Sequence, residues 1–290
     1  MNVAQAIAAA VALGLERLDA QLMMLHALAR PAHDRAWLLA HDTDALPPAA
    51  QATFDTCLQR RLAGEPLAYI TGHKEFFGLD LQVDARVLVP RPDTETLVEW
   101  ALSLLPPPAP SSPSRPLEQG RDERMPSLLD LGTGSGAIAL AVKRTRPDVQ
   151  VSAVDASQEA LNVARVNAQR LGLEVEFLHG SWFAPVRGQF HLIVSNPPYV
   201  AVHDPHLNGL RYEPLQALTS GSDGLDDIRG IIKQARVHLH PGAWLLLEHG
   251  HNQAEAVHCM LSEAGFGAPQ TRCDLAGLPR CTGAAAPCAK

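Results

Sequence analysis

Hydrophobic residues in the first sixty or so positions recur at intervals of three or four, which is the spacing of one helix face. They form two stripes: Leu18, Leu22, Leu25 and Leu28, and then Phe54, Leu58 and Leu62. Gly64 and Pro66 follow the second stripe, and a glycine with a proline shortly after it is a typical helix stop. The pattern predicts a small helical domain over residues 1–66.

The pattern changes between residues 67 and 89. Aromatic and aliphatic residues predominate there: Tyr69, Ile70, Phe76, Phe77, Leu79, Leu81 and Val83. Gly72 and Gly78 supply positions for turns. This composition predicts a β-hairpin over residues 67–89 that connects two domains.

The remainder, residues 90–290, is predicted to form a larger second domain. A helix is predicted for residues 92–105, and residues 106–127 are so rich in Pro, Ser and charge that a flexible surface loop is expected. Strand-like apolar runs follow at residues 127–131, 149–154, 175–178, 190–194 and 243–247. Helical stretches separate them, which is typical of a parallel sheet covered by helices on both faces. The predicted fold class is α/β, with an Ala-rich tail after Gly283 expected to be frayed.

A glycine-rich segment follows the first strand of the larger domain. It runs Asp130-Leu131-Gly132-Thr133-Gly134-Ser135-Gly136 and precedes a helical stretch, so its backbone can approach a ligand at the carboxyl edge of the sheet. The third glycine comes one residue earlier than in G-x-G-x-x-G, which suits a small zwitterion such as the methionine part of S-adenosylmethionine better than a pyrophosphate. No Gly-Lys-Ser/Thr follows, which excludes a P-loop. A tight turn without a ligand is the alternative for the loop alone.

An acidic residue, Asp155, ends the second strand of this domain, about twenty residues after the glycine loop. A carboxylate at that position can accept hydrogen bonds from both hydroxyls of a ribose. Loop and carboxylate together therefore indicate a nucleoside-containing ligand more strongly than either does alone.

The turn Asn196-Pro197-Pro198-Tyr199 follows the fourth strand, so we expect it at the same sheet edge. Two prolines cannot donate hydrogen bonds to a sheet, and the first restricts Asn196 to extended backbone, so the turn is stiff. We expect the Asn196 side-chain oxygen and the Pro197 carbonyl to hold the hydrogens of a planar amino or amide group in line with a methyl donor. Tyr199 can stack on that group, and no charged base is required. The alternative is a rigid turn without chemistry.

Composition limits which partners, metal sites and membrane contacts the chain can be expected to have. The net charge of −7 over 290 residues gives no support for binding to a nucleic-acid backbone. Five cysteines without a C-x-x-C pair indicate neither a disulfide framework nor zinc, and histidine pairs such as His203 and His206 have no acid or cysteine to complete a metal site. No apolar run reaches the roughly 20 residues of a membrane span. We expect a cytoplasmic monomer without metal, membrane contact or direct nucleic-acid contact.

Together these motifs resemble those of class I S-adenosylmethionine-dependent methyltransferases, and more closely the peptide chain release factor N5-glutamine methyltransferases (PrmC/HemK). The resemblance covers nearly the whole chain. It rests on the helical N-terminal domain and on four motifs: Pro90-Arg91-Pro92-Asp93-Thr94-Glu95, Asp130 to Gly136, Asn196 to Tyr199, and Leu245-Leu246-Leu247-Glu248-His249-Gly250. It implies a Rossmann-like catalytic domain and methyl transfer to the side-chain amide nitrogen of the glutamine in the Gly-Gly-Gln motif of release factors. It also implies that the helical domain docks the release factor.

The resemblance further implies a role for each site residue. The methionine part of S-adenosylmethionine is held by Gly132, Thr133, Gly134, Ser135 and Gly136. Asp155 binds the ribose, Trp182 lies against the adenine, and Asn196 completes the cofactor site. The glutamine amide is bound by Asn196, Pro197, Pro198 and Tyr199, of which Asn196, Pro197 and Tyr199 are the catalytic residues. Ser181 stands where the family usually has an acid, and Glu248 and His249 at a strand end receive no assigned role.

Three alternatives stay open at this point. A glutamine methyltransferase of a ribosomal protein would share the chemistry and a similar layout. An adenine-N6 methyltransferase of nucleic acid also carries Asn-Pro-Pro-Tyr by resemblance, but base flipping and phosphate binding are not favoured by this acidic chain. Arg91 to Glu95 favours release factors, by resemblance only. A binding module with a vestigial cofactor fold is the non-enzymatic alternative, against which the intact glycine loop, Asp155 and Asn196 argue.

Overall fold

The computed structural model describes residues 1–107 and 125–288. The chain divides into two compact units, residues 1–73 and 74–290. Most of the predicted flexible loop at residues 106–127 lies outside the described residues, and its last residue, Ser127, begins a buried strand. None of the described helices is long and apolar enough to cross a bilayer.

The first unit is helical, as its hydrophobic spacing predicts. Its described helices are α1 Val3–Ala12, α2 Arg17–Ala27, α3 Arg35–Ala40, α4 Pro48–Leu62 and α5 Leu67–Thr71. A capping box starts α1: the Asn2 side chain accepts from the Gln5 backbone N–H at 2.8 Å, and the Gln5 side chain accepts from the Asn2 backbone N–H at 3.0 Å. Gly64, with φ of +92°, follows α4 as the predicted helix stop.

The core of this unit differs in part from the two predicted stripes. Met23, Met24 and Phe54 are fully buried, whereas Leu18 and Leu62 are exposed at 46% and 41%. Helices of this length present more than one apolar row, and the row that packs depends on the neighbouring helices, which a single-helix pattern does not specify.

The predicted hairpin of residues 67–89 is shorter in the structure. Its strands are β1 His73–Phe76 and β2 Leu79–Gln82. Tyr69 and Ile70, expected in a strand, lie in α5, because Pro66 starts a helical turn and Gly72, with φ of +79°, ends it. The two loop residues of the hairpin, Phe77 and Gly78, both have positive φ, as the tight turns of two-residue hairpins require.

The second unit is the predicted α/β domain. Its described helices are α6 Glu95–Leu104, α7 Ala137–Thr145, α8 Gln158–Leu171, α9 Asp226–Ala235 and α10 Ala254–Glu263. The strands of its main sheet are β3 Ser127–Leu131, β4 Gln150–Asp155, β5 Glu176–His179, β6 Phe190–Ser195, β7 Leu239–Glu248, β8 Gln270–Cys273 and β9 Pro279–Ala285. The five predicted strands correspond to β3 through β7, of which β7 begins four residues earlier than predicted.

The seven strands follow the order β5-β4-β3-β6-β7-β9-β8. Strands β3 to β7 are parallel, and β9 runs antiparallel to β7. The inner strands β3, β4 and β6 have buried apolar side chains on both faces, as in sheets covered by helices on each side. Because the five strands point the same way, the residues that follow β3, β4, β6 and β7 meet at one edge.

The beginning of the tail after Gly283 is not frayed. It completes β9, in which Leu246 pairs with Gly283, Leu245 with Ala284 and Trp244 with Ala285. A Cβ on Gly283 would lie 2.4 Å from Leu246 Cδ2 and 2.6 Å from the Leu245 carbonyl oxygen. Small residues in this segment therefore reflect close strand packing rather than low order, which explains why composition alone was misleading.

Candidate active site

A cavity of about 270 Å³ opens at the carboxyl edge of β3, β4 and β6. Predicted site residues from four separate segments line it: Gly132, Gly134, Asp155, Trp182, Asn196 and Pro198. The remaining predicted residues, Thr133, Ser135, Gly136, Pro197 and Tyr199, are not among the side chains or backbone that line the cavity. The sheet edge thus brings together at least one residue from each of the four segments that carry predicted site residues.

The glycine loop presents backbone to this cavity. Gly132, Gly134 and Gly136 all have positive φ, between +55° and +86°, which favours glycine. The Thr133 and Ser135 side chains are buried instead of facing the cavity. A Cβ on Gly136 would come within 3.0 Å of Leu140 Cδ1, so this glycine serves the packing of the loop against α7.

Asp130 stabilises the glycine loop from inside the protein. One oxygen of its fully buried carboxyl accepts from the Thr133 hydroxyl at 2.6 Å and from the Ala139 backbone N–H at 3.3 Å. The other oxygen makes no hydrogen bond within the described chain. Burial raises the pKa of Asp130 to about 7, and these hydrogen bonds only partly oppose it.

Asp155 stands at the end of β4 with its carboxylate on the cavity. Its two oxygens accept from the backbone N–H groups of Gly134 and Ser157, each at 2.8 Å. Burial raises the pKa of Asp155, and these two hydrogen bonds lower it. Each carboxylate oxygen has more than one lone pair, so both can also accept from hydroxyls of a ligand. The carboxylate therefore fits the predicted ribose contact.

Trp182 faces the glycine loop across the cavity. Its backbone φ is +46°, an uncommon value for an aromatic residue, and it follows Gly180 and the exposed Ser181. The ring edge lies 3.5 Å from the position that a Cβ on Gly132 would take. A flat aromatic surface in this place can cover a planar base.

The Asn196 turn begins where β6 ends. The Asn196 side-chain Nδ2 donates to Thr94 Oγ1 at 3.2 Å, and the Tyr199 carbonyl accepts from Gln253 Nε2 at 3.0 Å. Pro197 is buried. Burial and the neighbouring Glu248 carboxyl both raise the pKa of the Tyr199 phenol, which therefore stays protonated at neutral pH.

The segment before α6 is tied to the chain that follows the Asn196 turn by Glu213, a residue that the sequence did not single out. Arg91 donates to Glu213, whose other oxygen accepts from the Val89 backbone N–H at 3.1 Å. The Glu213 side chain is buried. Its position directly before Pro214 was the only sequence signal available, and it is a weak one.

Arg280, at the start of β9, was also missed. Its guanidinium lies 3.2 Å from Asp93 and 3.0 Å from Asp274. It reaches the site because β9 is antiparallel to β7, so the beginning of β9 lies at the edge where β7 ends. Nothing in the spacing of Arg280 along the chain indicates this position.

The sequence assigned no role to Glu248 and His249, and the structure shows that they differ in their hydrogen bonding. Both ring nitrogens of His249 have hydrogen-bond partners: Nδ1 lies 2.9 Å from the Gly250 carbonyl and Nε2 lies 2.8 Å from the Thr282 hydroxyl. Burial lowers its pKa, which is consistent with a neutral ring. Glu248 is fully buried, yet neither carboxyl oxygen makes a hydrogen bond of ordinary geometry within the described residues, although the Thr94 and Tyr199 hydroxyls are close enough to lower its pKa.

Metal ligands are not grouped in the described part of the chain, where no set of three His, Cys, Asp or Glu side chains could hold an ion. His203 follows the Asn196 turn, His206 lies in the short 3-10 helix Pro205–Leu210, and the His206 side chain pairs with Asp204 at 2.7 Å. The absence of a metal from the working protein stays a prediction.

Sequence comparisons identify the chain's relatives. The PrmC N-terminal domain model matches residues 3–72, and the methyltransferase small domain model matches residues 117–210. A release factor glutamine methyltransferase from Bordetella pertussis is 47% identical over 93% of this chain and 95% of its own length. One from Xylella fastidiosa is 45% identical over 96% of both chains.

Structural comparison supports the fold alone. A methyltransferase from Pyrococcus furiosus superposes with a TM-score of 0.53 at 19% identity, covering 80% of this chain and 99% of the other. The human Mettl16 catalytic domain, crystallised with an RNA hairpin, gives the same TM-score at 14% identity, covering 81% of each chain. The shared class I methyltransferase sheet is thus established independently of close sequence similarity.

Proposed function

The chain belongs to the release factor glutamine methyltransferase family, and on this premise we propose that it transfers the methyl group of S-adenosylmethionine to the glutamine side-chain amide nitrogen in the Gly-Gly-Gln motif of peptide chain release factors. The observation that carries the proposal is the convergence of Gly132, Gly134, Asp155, Trp182 and Asn196 on one cavity. This convergence supports a nucleoside-type site directly beside a side-chain amide that can hold another amide.

The residues of the cavity fit S-adenosylmethionine. Asp155 has lone pairs for the ribose hydroxyls, Trp182 offers a surface for the adenine, and the glycine loop offers backbone to the methionine part. When bound, S-adenosylmethionine supplies a methyl group on a positively charged sulfur. Gly132 matters here because a side chain at that position would narrow the space between the loop and Trp182.

Asn196 is the proposed orienting group for the substrate. An amide nitrogen is a weak nucleophile, and its reactivity depends on being aimed at the methyl carbon. The Asn196 side-chain oxygen and the Pro197 carbonyl are proposed to accept the two amide hydrogens and so fix the nitrogen. The stiffness of the Pro197-Pro198 turn keeps these acceptors in place. The nitrogen releases one proton on methylation, and solvent can take it.

Docking of the release factor is assigned to the helical first unit. Support comes from the match of residues 3–72 to a domain that is characteristic of this family. That unit has its own buried core, so it can present a surface of fixed shape. The large side chains Leu13 and Leu39 are exposed on it and are available for an apolar contact.

The test is a comparison of methyl acceptors. The chain is incubated with labelled S-adenosylmethionine and, in separate reactions, a release factor, its Gln→Ala variant at the Gly-Gly-Gln motif, a ribosomal protein and an adenine-containing duplex. We expect label only in the unaltered release factor. Label in the ribosomal protein or the duplex would assign one of the other two substrate classes, and no label in any acceptor would contradict methyl transfer.

A further inference from the structure

The two ends of the Asn196 amide differ chemically, and only one of them suits the proposed reaction. The oxygen accepts hydrogen bonds, whereas the nitrogen only donates them. A substrate amide nitrogen needs acceptors for its hydrogens, so the oxygen must face the cavity. Rotating the side-chain amide by half a turn exchanges the two ends, and therefore some neighbouring group has to select one orientation.

Thr94 is the neighbour in contact with this amide. Its hydroxyl oxygen accepts from Asn196 Nδ2 at 3.2 Å, although the two residues are 102 positions apart in the chain. Thr94 is 4% exposed and ends the short helical turn Pro92–Thr94 that precedes α6. A hydroxyl can also donate one hydrogen, and if that hydrogen pointed at Asn196 the amide would present its nitrogen to the cavity.

Glu248 is the acceptor next to the Thr94 hydroxyl. Its carboxyl is fully buried at the end of β7, and neither oxygen makes a hydrogen bond of ordinary geometry in the described part of the chain. Burial raises the pKa of Glu248 to about 7. The hydroxyls of Thr94 and Tyr199 and the Arg280 guanidinium favour its charged form, while Asp93 opposes it. A carboxylate can only accept, so it draws the hydroxyl hydrogens of these neighbours towards itself.

These contacts define a direction for the hydrogen bonds. A Thr94 hydroxyl that donates its hydrogen to Glu248 keeps its oxygen as an acceptor for the Asn196 amide. We propose that Thr94, backed by Glu248, is a positioning residue that holds Asn196 with its Oδ1 rather than its Nδ2 towards the substrate nitrogen. The inference rests on the proposed function, and it gives the Pro90–Glu95 motif a task at the reaction centre.

The inference predicts different behaviour for two conservative variants of Thr94. Thr94→Val keeps the shape and removes the hydroxyl, so the amide loses its selected orientation. We expect kcat for transfer to the release factor to fall about 10- to 100-fold. The Kd for S-adenosylmethionine, measured by calorimetry, should change less than about twofold, because Thr94 does not line the cavity. Thr94→Ser restores the hydroxyl and should recover most of kcat.

A matched control removes a hydroxyl elsewhere. Thr145 ends α7, and its hydroxyl bonds only the Ala141 carbonyl of its own helix among the described residues, so Thr145→Val should keep kcat and Kd unchanged. The wild-type reaction separates the two proposals. No transfer by the wild-type protein would contradict the proposed function, whereas wild-type transfer with an unchanged kcat in Thr94→Val would overturn the role of Thr94. A Thr94→Ser variant as slow as Thr94→Val would overturn it as well.

Discussion

Asn196 and Asp155 line the same cavity but contribute different groups to it, so their removal should have separable effects. Asp155→Ala removes a carboxylate that is expected to accept from two hydroxyls, and it should weaken S-adenosylmethionine binding by about 1–3 kcal/mol. Asn196→Ala should retain most of that affinity and abolish transfer, because the acceptor for the substrate amide is lost. Calorimetry and the labelling reaction measure the two effects.

The control for this pair is Asp148→Ala. Asp148 pairs with Arg146 beside the N-terminal end of β4, far along the strand from Asp155. It should change neither the Kd nor the rate. A Kd for the Asp155→Ala variant equal to that of the wild-type protein would remove Asp155 from the site.

Asp130 makes stability depend on pH. Burial raises its pKa from 3.8 to about 7, so the folded protein holds this proton more tightly than the unfolded chain does. The stabilisation is therefore fully present below about pH 4 and is lost as pH rises through about 7, with a total change on the order of a few kcal/mol. Glu248 acts in the same direction, since burial raises its pKa to about 7.

We expect the free energy of unfolding, measured in urea at several pH values, to fall less between pH 5 and 8 in Asp130→Asn than in the wild-type protein. His191 and His249, whose pKa values burial lowers, act in the opposite direction but equally in both proteins. Asp84→Asn is the matched control, because Arg86 lowers the pKa of Asp84 and that group does not titrate in this range. Equal slopes for wild type and Asp130→Asn would contradict the prediction.

At the scale of elements, the packing of β9 against β7 leads to a test with two glycines. Gly283→Ala introduces a Cβ 2.4 Å from Leu246 Cδ2 and 2.6 Å from the Leu245 carbonyl oxygen. We expect it to lower the free energy of unfolding by about 1–3 kcal/mol through overpacking. The backbone carbonyl cannot rotate away as a flexible side chain could, so relaxation is limited.

Gly230→Ala is the contrasting substitution. Gly230 lies inside α9, and a Cβ there meets no heavy atom within 4 Å. Because alanine is the better helix former, this variant should be more stable than the wild-type protein by about 0.5–1 kcal/mol. Equal free energies of unfolding in urea for Gly283→Ala and Gly230→Ala would show that β9 relaxes to accommodate the added methyl group, and would contradict the prediction.

The elements that the sequence predicts well are those with strong local patterns. Strands β3 to β7 are apolar runs with clear breaks, and the glycine loop, Asp155 and Asn196 follow them directly. The short helix Leu67–Thr71 and the end of β9 after Gly283 were mispredicted, because the aromatic Tyr69 and the small residues near Gly283 take their structure from tertiary packing.

The remaining site residues could not be predicted for a different reason. Thr94, Glu213 and Arg280 are held by one or two contacts each. Thr94 is 102 positions from Asn196, and Glu213 is 122 positions from Arg91. Such contacts leave no periodic signal. They depend on which loops the strand order places side by side, and that order is a property of the whole sheet.

At the scale of the whole molecule, the two units should respond differently to cofactor. All cavity-lining residues follow position 85, and each unit has a separate buried core. At 100 times its Kd, S-adenosylmethionine stabilises the unit that binds it by about 2.7 kcal/mol. We expect slower hydrogen exchange for amides of β3 and α7 and unchanged exchange for those of α2 and α4.

The Asp155→Ala variant is the control for this measurement, since the same cofactor concentration should then protect β3 and α7 less. Equal protection of the helical unit and the sheet unit in the wild-type protein would show that the two unfold as one cooperative body, and would contradict the prediction.

Because β3 to β7 are parallel, the cavity lies at the carboxyl edge of their sheet, and the amino edge is available for inserted sequence. The connection from α8 to β5 lies at the amino end of β5, away from the cavity, and a Cβ added at Gly172 within it would meet no heavy atom within 4 Å. A peptide epitope or a fluorescent reporter grafted after Gly172 should leave transfer intact. We expect natural insertions in homologous proteins to occur at the same edge, because insertions there do not impair methyl transfer.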